Sequence, residues 1–140
     1  MASTVTGALN DHFQTSASLV ASVPVQYFEE IPEGEGVAPP FAVYTNRETI
    51  PQYTAETAYL ESVAIDIDVF HRSLDTLDSI MRTLVNLFDW AKPSMTGATI
   101  LHCRRSAGPA MALEQMRDRQ GHPMHRASVR YDVLVQRAHT

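Results

Sequence analysis

The sequence predicts an α+β fold: an antiparallel or mixed β-sheet with two main helices packed on one face and an extended C-terminal hairpin. Apolar and polar residues alternate over 59–71 and 125–137, which is the period of a half-buried strand. Apolar residues recur every three to four positions over 6–21 and 73–90, which is the period of an amphipathic helix. The order helix, strands, helix, strands favours a sheet with its helices on one side.

The first third of the chain is predicted to begin with a helix and continue in extended segments. Leu9, Phe13 and Val20 fall on one face of the helix over 6–21, which ends before Pro24. Three segments follow it: a short strand over 25–28, an exposed acidic loop over 29–36 and a second strand over 41–45.

The middle of the chain contains the longest alternating strand and the second helix. The strand over 59–71 has two faces: Val63, Ile65, Ile67 and Val69 on one, and Ala64, Asp66, Asp68 and Phe70 on the other. Ser73 is suited to cap the helix that follows, and Leu77, Met81 and Leu84 lie on its apolar stripe. We expect this helix to cover the sheet.

The last third is predicted to form strands only. A strand over 98–105 would place Cys103 on one side and Ile100 on the other, and residues 106–109 would interrupt it. A hairpin then follows, with strands over 111–118 and 125–137 and a turn over 120–123.

Length and composition are those of an ordinary globular domain. The chain has 140 residues, of which 44% are hydrophobic and 19% charged. Cys103 is the single cysteine, so no intrachain disulfide forms. No apolar run approaches the ~18 residues of a membrane helix, and the first residues lack the features of a signal peptide. We expect one domain over residues 1–140, with no membrane association.

The charge is divided unevenly along the chain. The net charge of −5 argues against a general nucleic-acid binder, because such proteins neutralise phosphates. Residues 1–90 hold 13 acidic and 3 basic residues, whereas residues 91–140 hold 3 acidic and 8 basic residues. Two interpretations stay open. The two parts fold against each other in one subunit, or they meet in head-to-tail association of identical subunits.

Asp66 and Asp68 are the best candidates for chemistry, because two carboxylates on one strand face are able to hold a divalent cation. The alternation itself favours a simpler interpretation, the polar face of a half-buried strand. The sequence contains no Gly-rich phosphate loop, no G-x-S-x-G motif and no HExxH motif. No catalytic, cofactor-binding or metal-binding residue is therefore predicted.

Arginines dominate the basic part of the chain, and their planar guanidinium groups suit carboxylate partners. We predict a contact between subunits in which an acidic loop meets arginines of a neighbour; a solvated surface is the alternative. The candidate interface residues are Glu29, Glu30, Glu33, Glu35, Arg104, Arg105, Arg117 and Arg119.

The ordered set of segments resembles the tail terminator, or tail completion, proteins of long-tailed bacteriophages. The resemblance covers nearly the whole chain. It rests on the initial helix, short strand and acidic loop, followed by the Pro-Phe-Ala-Val-Tyr strand at 40–44, the Ile-Asp-Ile-Asp-Val-Phe motif at 65–70, the helix over 73–90 and the closing strand at 125–135. Each segment alone is a common pattern, and their order is the more specific feature.

The resemblance implies a structural role and no cofactor. Subunits of that family form a ring, usually a hexamer, that caps the completed tail tube, stops its polymerisation and joins the head connector. The expected partners are further copies of the chain, the tail tube protein and a head completion protein. DNA would pass through without specific binding. The expected location is the head-proximal end of the virion tail, and the host cytoplasm during assembly.

Two alternatives to a terminator remain at this stage. A head-to-tail connector subunit, located in the neck, has a similar size and also forms rings. A small metal-dependent hydrolase would use Asp66 and Asp68. If the chain forms a ring, we expect Asp66 and Asp68 to face its lumen, where their negative charge would repel passing DNA.

Overall fold

The computed structural model describes residues 2–31, 38–112 and 116–138 of the chain. It contains three helices and six strands, which confirm the α+β class. The helices are α1 (Val5–Phe13), α2 (Ala17–Ser22) and α3 (Leu74–Phe88); the strands are β1 (Gln26–Phe28), β2 (Phe41–Thr54), β3 (Ala58–His71), β4 (Thr99–Met111), β5 (Met116–Arg117) and β6 (Pro123–Ala138). No helix in these ranges is long and apolar enough to cross a membrane.

The strands form one mixed sheet in the order β1-β2-β3-β6-β4, and β5 pairs with the start of β6. Only β1 and β2 are parallel, and every other neighbouring pair is antiparallel. Because β6 is antiparallel to both β3 and β4, these two strands point the same way. The strand that comes last in the chain thus lies inside the sheet.

The core lies between one face of the sheet and the three helices. From the sheet it takes alternate residues of β3 and β6: Val63, Ile65, Ile67, Val69, Val129, Tyr131, Val133 and Val135, all of them buried. The predicted face of β3 is therefore confirmed. The stripe of α3 packs on it through Leu77, Ile80, Met81, Leu84 and Phe88. A smaller apolar cluster of Phe41, Val43 and Phe70 lies on the opposite face.

The N-terminal helical region is divided into two helices, which corrects the prediction of one helix over 6–21. The hydroxyl of Ser16 accepts a hydrogen bond from the backbone N–H of Leu19 and so begins α2. Before it, the hydroxyl of Thr15 donates to the carbonyl of His12 at the end of α1. The predicted cap of α3 is confirmed, since Ser73 accepts from the N–H of Thr76.

Strand β2 extends to Thr54, nine residues beyond the predicted end at 45. Residues 46–54 are exposed, so their side chains carry no alternation of the kind that predicts a strand. The strand continues because β3 pairs with it along its whole length, with register shifts after Asn46 and Pro51. Pairing with a well-defined neighbour outweighs the weak local propensity.

Strand β4 departs from simple alternation, which corrects the predicted faces. A register shift between Ile100 and His102 places Ile100 and Cys103 on the same buried side. The expected break over 106–109 is instead a series of irregular pairings within a strand that reaches Met111. Gly108 is required there, because a Cβ would stand 2.4 Å from the carbonyl oxygen of Ser128.

In the part of the chain that the structure describes, the C-terminal hairpin is shorter than predicted. Of the described residues, Met116 and Arg117 form its first strand, and they pair with Met124 and Pro123. Residues 113–115, which belong to the predicted strand over 111–118, lie outside the described residues. The long partner of β6 on this side is β4, with nine paired positions.

Candidate interaction surfaces

The face of the sheet turned away from the helices, here called the open face, carries Asp66 and Asp68 side by side. The register of β3 and β6 sets Asp66 opposite Arg130 and Asp68 opposite Ser128. Arg130 Nε lies 2.7 Å from one carboxylate oxygen of Asp66, and Arg47 Nε lies 2.6 Å from the other. Ser128 donates its hydroxyl to Asp68. Both carboxylates are thus bound within the chain.

The positive partners on this face are the more exposed ones. The side chain of Asp66 is 16% exposed, against 54% for Arg47 and 40% for Arg130. The hydrogen bond and the charge of Asp66 raise the pKa of Arg130, which therefore stays charged. The surface presented to a partner is one of guanidinium groups over recessed carboxylates.

This geometry weighs against the metal-dependent hydrolase. Two guanidinium groups in contact with Asp66 would repel a divalent cation and already occupy its oxygens. Within the described ranges, no three His, Cys, Asp or Glu residues are grouped so that they could hold a metal ion. The same ion pairs offset the negative charge of Asp66, which weakens the expectation that this face repels DNA. A lumen-facing position for Asp66 and Asp68 stays a prediction.

The acidic and basic parts of the chain fold against each other. Arg130 pairs with Asp66, Arg137 Nε lies 2.5 Å from Glu61, and Arg105 lies 3.3 Å from Asp89. Each of these ion pairs joins the basic C-terminal part to the acidic part before residue 91. Part of the charge asymmetry seen in the sequence is therefore balanced within one subunit.

The neighbouring arginines Arg104 and Arg105 point to opposite sides of the sheet. Arg104 lies on the open face, 3.1 Å from Asp132, and its side chain is 59% exposed. Arg105 lies on the helical side, where it reaches Asp89 and also donates to the carbonyl of Gly108. A guanidinium group has five N–H donors, so Arg104 retains donors for a further partner.

The acidic candidates lie at the other edge of the sheet. Glu29 and Glu30 follow β1 directly and are exposed. The carboxylate of Glu29 accepts a hydrogen bond from the backbone N–H of Asn46, which fixes this turn to β2. Glu33 and Glu35 lie outside the described residues.

Arg117 and Arg119 belong to a different region, since Arg117 ends β5 and Arg119 lies in the turn between β5 and β6. Arg117 donates to the carbonyl of Gly121, and the carboxylate of Asp118 binds Arg72 at 2.7 Å and accepts from two backbone N–H groups of the turn. Burial of Asp118 raises its pKa, but these bonds outweigh it and lower the pKa overall. The six candidate interface residues that the structure describes thus do not form one patch.

Two residues of these surfaces were missed by sequence reasoning. Arg47 lies in the exposed part of β2, and nothing local in the sequence indicates that it meets Asp66. Trp90 follows α3 and is 64% exposed, the largest exposed fraction among the large hydrophobic side chains. The sequence does contain one indication of Trp90, because it is a tryptophan at the end of a predicted helix, where glycine is favoured.

Comparison with known proteins gives a likeness of fold. No protein-family model and no curated protein sequence matches the chain. Among solved structures, it is similar to a chain in the virion of a native gene transfer agent (GTA) particle, with a TM-score of 0.67 and 11% sequence identity. The alignment covers 94% of each chain. The protein therefore shares its fold, over nearly its full length, with a chain of a virion particle.

Proposed function

We propose that this protein is a structural component of a virion of the long-tailed phage type, built from one domain over residues 1–140. The observation that carries the proposal is the likeness of fold to a chain of a gene transfer agent virion over 94% of both chains. The role needs no catalytic residue and no cofactor. It needs surfaces for other virion proteins, and the open face and the two sheet edges are available for them.

Within the virion, we propose the role of tail terminator. Subunits would form a ring on the completed tail tube, and the family resemblance implies that this ring is a hexamer. The ring would stop polymerisation of the tube protein and join a head completion protein. Support comes from the order of sequence segments and from edges of unlike charge, since unlike surfaces on one subunit suit a closed head-to-tail ring.

Deletion of the gene from the particle-producing strain tests the role. Electron microscopy should then reveal tail tubes of uncontrolled length without heads, and the protein supplied in trans should restore normal length. Tails of normal length that fail to join heads would contradict a terminator and identify a connector. Complete, normal particles in the deletion strain would contradict both roles.

Electron cryo-microscopy of the intact particle tests the location. We expect density for this fold as a single ring at the head-proximal end of the tail. The same reconstruction determines whether Asp66 and Asp68 face the lumen. Density elsewhere in the particle would contradict the proposed position.

A further inference from the structure

Trp90 lies at the outer edge of the sheet, beside β4. Its backbone N–H donates to the carbonyl of Cys103, and the N–H of Cys103 donates to the carbonyl of Ala91. The segment after α3 thus runs along the edge of β4. Its tryptophan side chain remains 64% exposed there.

The backbone of Trp90 has a conformation that disfavours a large side chain. Its φ is +59°, in the left-handed region, and it comes directly after the C-cap of α3, Asp89. Glycine is the usual residue at this position, because a Cβ in the left-handed region is strained. Neither the backbone conformation nor burial favours tryptophan at this position, which suggests that the exposed ring has a role in binding.

Trp90 belongs to an aromatic and basic patch, which we define as Trp90, His102 and Arg104. The rings of Trp90 and His102 meet edge to face with centroids 5.4 Å apart. Both residues and Arg104 line one cleft of about 350 Å³ on the open face, together with Leu134 and with Asp132, the carboxylate that Arg104 already binds. Tryptophan and arginine are enriched among the residues that contribute most of the binding energy at protein interfaces.

The opposite edge of the same sheet carries the complementary chemistry. The acidic turn, defined as Glu29, Glu30 and Ile31, follows β1 and exposes two carboxylates and an isoleucine that is 38% exposed. Three strands separate β1 from β4, so the two edges are about 19 Å apart at the usual strand spacing. The acidic turn and the patch therefore do not meet within one subunit.

The two edges lie at the same level along the strands. Glu29 binds the N–H of Asn46, and Asn46 is paired with Ile65 of β3. Ile65 is paired with Tyr131, and Tyr131 with Arg105, the residue next to Arg104. A second copy placed beside the sheet, without a shift along the strands, brings its acidic turn to the patch.

We propose that the aromatic and basic patch of one subunit binds the acidic turn of a second copy of this chain. Trp90 packs against the apolar part of the turn, and Arg104 bonds its carboxylates. Because the two surfaces differ, the contact is head-to-tail and repeats around a ring. This inference rests on the proposed ring and names the contact that closes it.

The variant Trp90→Gly separates assembly from folding. Glycine fits the left-handed backbone, so the midpoint of denaturant unfolding should stay close to that of the wild type. The number of copies per purified particle, counted by quantitative mass spectrometry, should fall about tenfold or more, as for loss of a dominant contact residue. Leu74→Ala is the matched control, since Leu74 is 48% exposed on α3, and its copy number should not change.

Cysteine cross-linking identifies the occupant. Glu30→Cys and Arg104→Cys chains are prepared separately, and Cys103 is retained, because its burial raises the thiol pKa to about 12 and keeps it unreactive. Oxidation of the mixture should give heterodimers in at least about fivefold excess over either homodimer, as a specific head-to-tail contact requires. A chain with both substitutions should give a ladder of oligomers.

Three outcomes would overturn the inference. The Trp90→Gly variant has a normal copy number, or the Glu30→Cys and Arg104→Cys chains give no excess of heterodimers. In the third outcome, Trp90→Gly is not incorporated into particles and the two cysteine chains do not cross-link at all. The last outcome would assign the patch to the tube or head protein. None of these outcomes would contradict the proposed function. That function is contradicted if the deletion strain makes normal tails or if the particle contains no ring of this chain.

Discussion

The two faces of the sheet use the same strands in opposite ways. On the helical side, the middle parts of β3 and β6 present buried aliphatic and aromatic residues, from Val63 to Val69 and from Ala127 to Val135, which are held by packing. On the open face, the alternate residues of these strands include Asp66, Asp68, Ser128 and Arg130, which are held by hydrogen bonds and charge. One face supplies stability through burial, and the other leaves polar groups at the surface. Substitutions on the two faces should therefore differ in cost.

The largest difference is expected between Phe88→Ala and Ile50→Ala. Phe88 is fully buried, and its ring lies 5.8 Å from that of Tyr131. Its truncation should lower the free energy of unfolding by about 3–5 kcal/mol. Ile50 is 45% exposed on β2, so its truncation should cost about 0.5 kcal/mol or less. Urea unfolding of both variants measures this, and equal costs would contradict the division into two faces.

Tyr131→Phe tests a polar contact that joins the core to the end of α3. The buried hydroxyl of Tyr131 donates to Asp89 at 2.7 Å, and burial followed by this bond raises its pKa. Loss of a hydrogen bond to a charged group should cost about 1.5–2 kcal/mol. Thermal and urea unfolding measure the cost. If Tyr131→Phe is as stable as the wild type, the ion pair with Arg105 is sufficient for Asp89 and the hydrogen bond from Tyr131 contributes little.

Asp66→Asn tests the open face, where the ion pairs are partly solvated. The change removes the charge shared by Arg47 and Arg130, and we expect a loss of about 1 kcal/mol, discounted for the exposure of both arginines. The loss should shrink as salt is added, because added ions screen exposed pairs. Asp78→Asn is the control, since its pair with Arg82 is far more exposed. A salt-independent loss would indicate a packing effect instead.

The smallest effect is expected from pH at the turn between β5 and β6. The pKa of Asp118 is lowered in the folded state, so its carboxylate stabilises the turn fully above the unfolded pKa of about 3.9. This contribution is lost as the pH falls through the lower, folded pKa. Backbone amide signals of Gly121 and His122 followed by NMR from about pH 5 to about pH 2 should report it. The variant Asp118→Asn should abolish the transition, and a transition that persists belongs to another group.

Alternation and capping residues were sufficient to predict much of the fold. The faces of β3 and the cap of α3 at Ser73 follow from local patterns, and both are present. The division between α1 and α2 depends on local contacts of the Thr15 and Ser16 hydroxyls. The exposed half of β2 and the shift near Leu101 depend on partners elsewhere in the chain. Local periodicity does not contain that information.

The candidate surfaces were predicted less completely, for the same physical reason. The strand period placed Asp66 and Asp68 on one face, but the arginines that bind Asp66 are distant in sequence from it or lie in an irregular part of β2. The charge count left open whether acid and base meet within one subunit or between two. The register of β3 with β6 sets Arg130 opposite Asp66, and so identifies one pair that is satisfied internally.

The central position of β6 has a consequence for folding. In the folded sheet, β6 fills the gap between β3 and β4, which point the same way and do not pair with each other. The β6 strand of another copy offers the same hydrogen bonds and the same buried side chains to that gap. Refolding at high concentration should therefore produce strand-exchanged dimers, and dilution during refolding should suppress them.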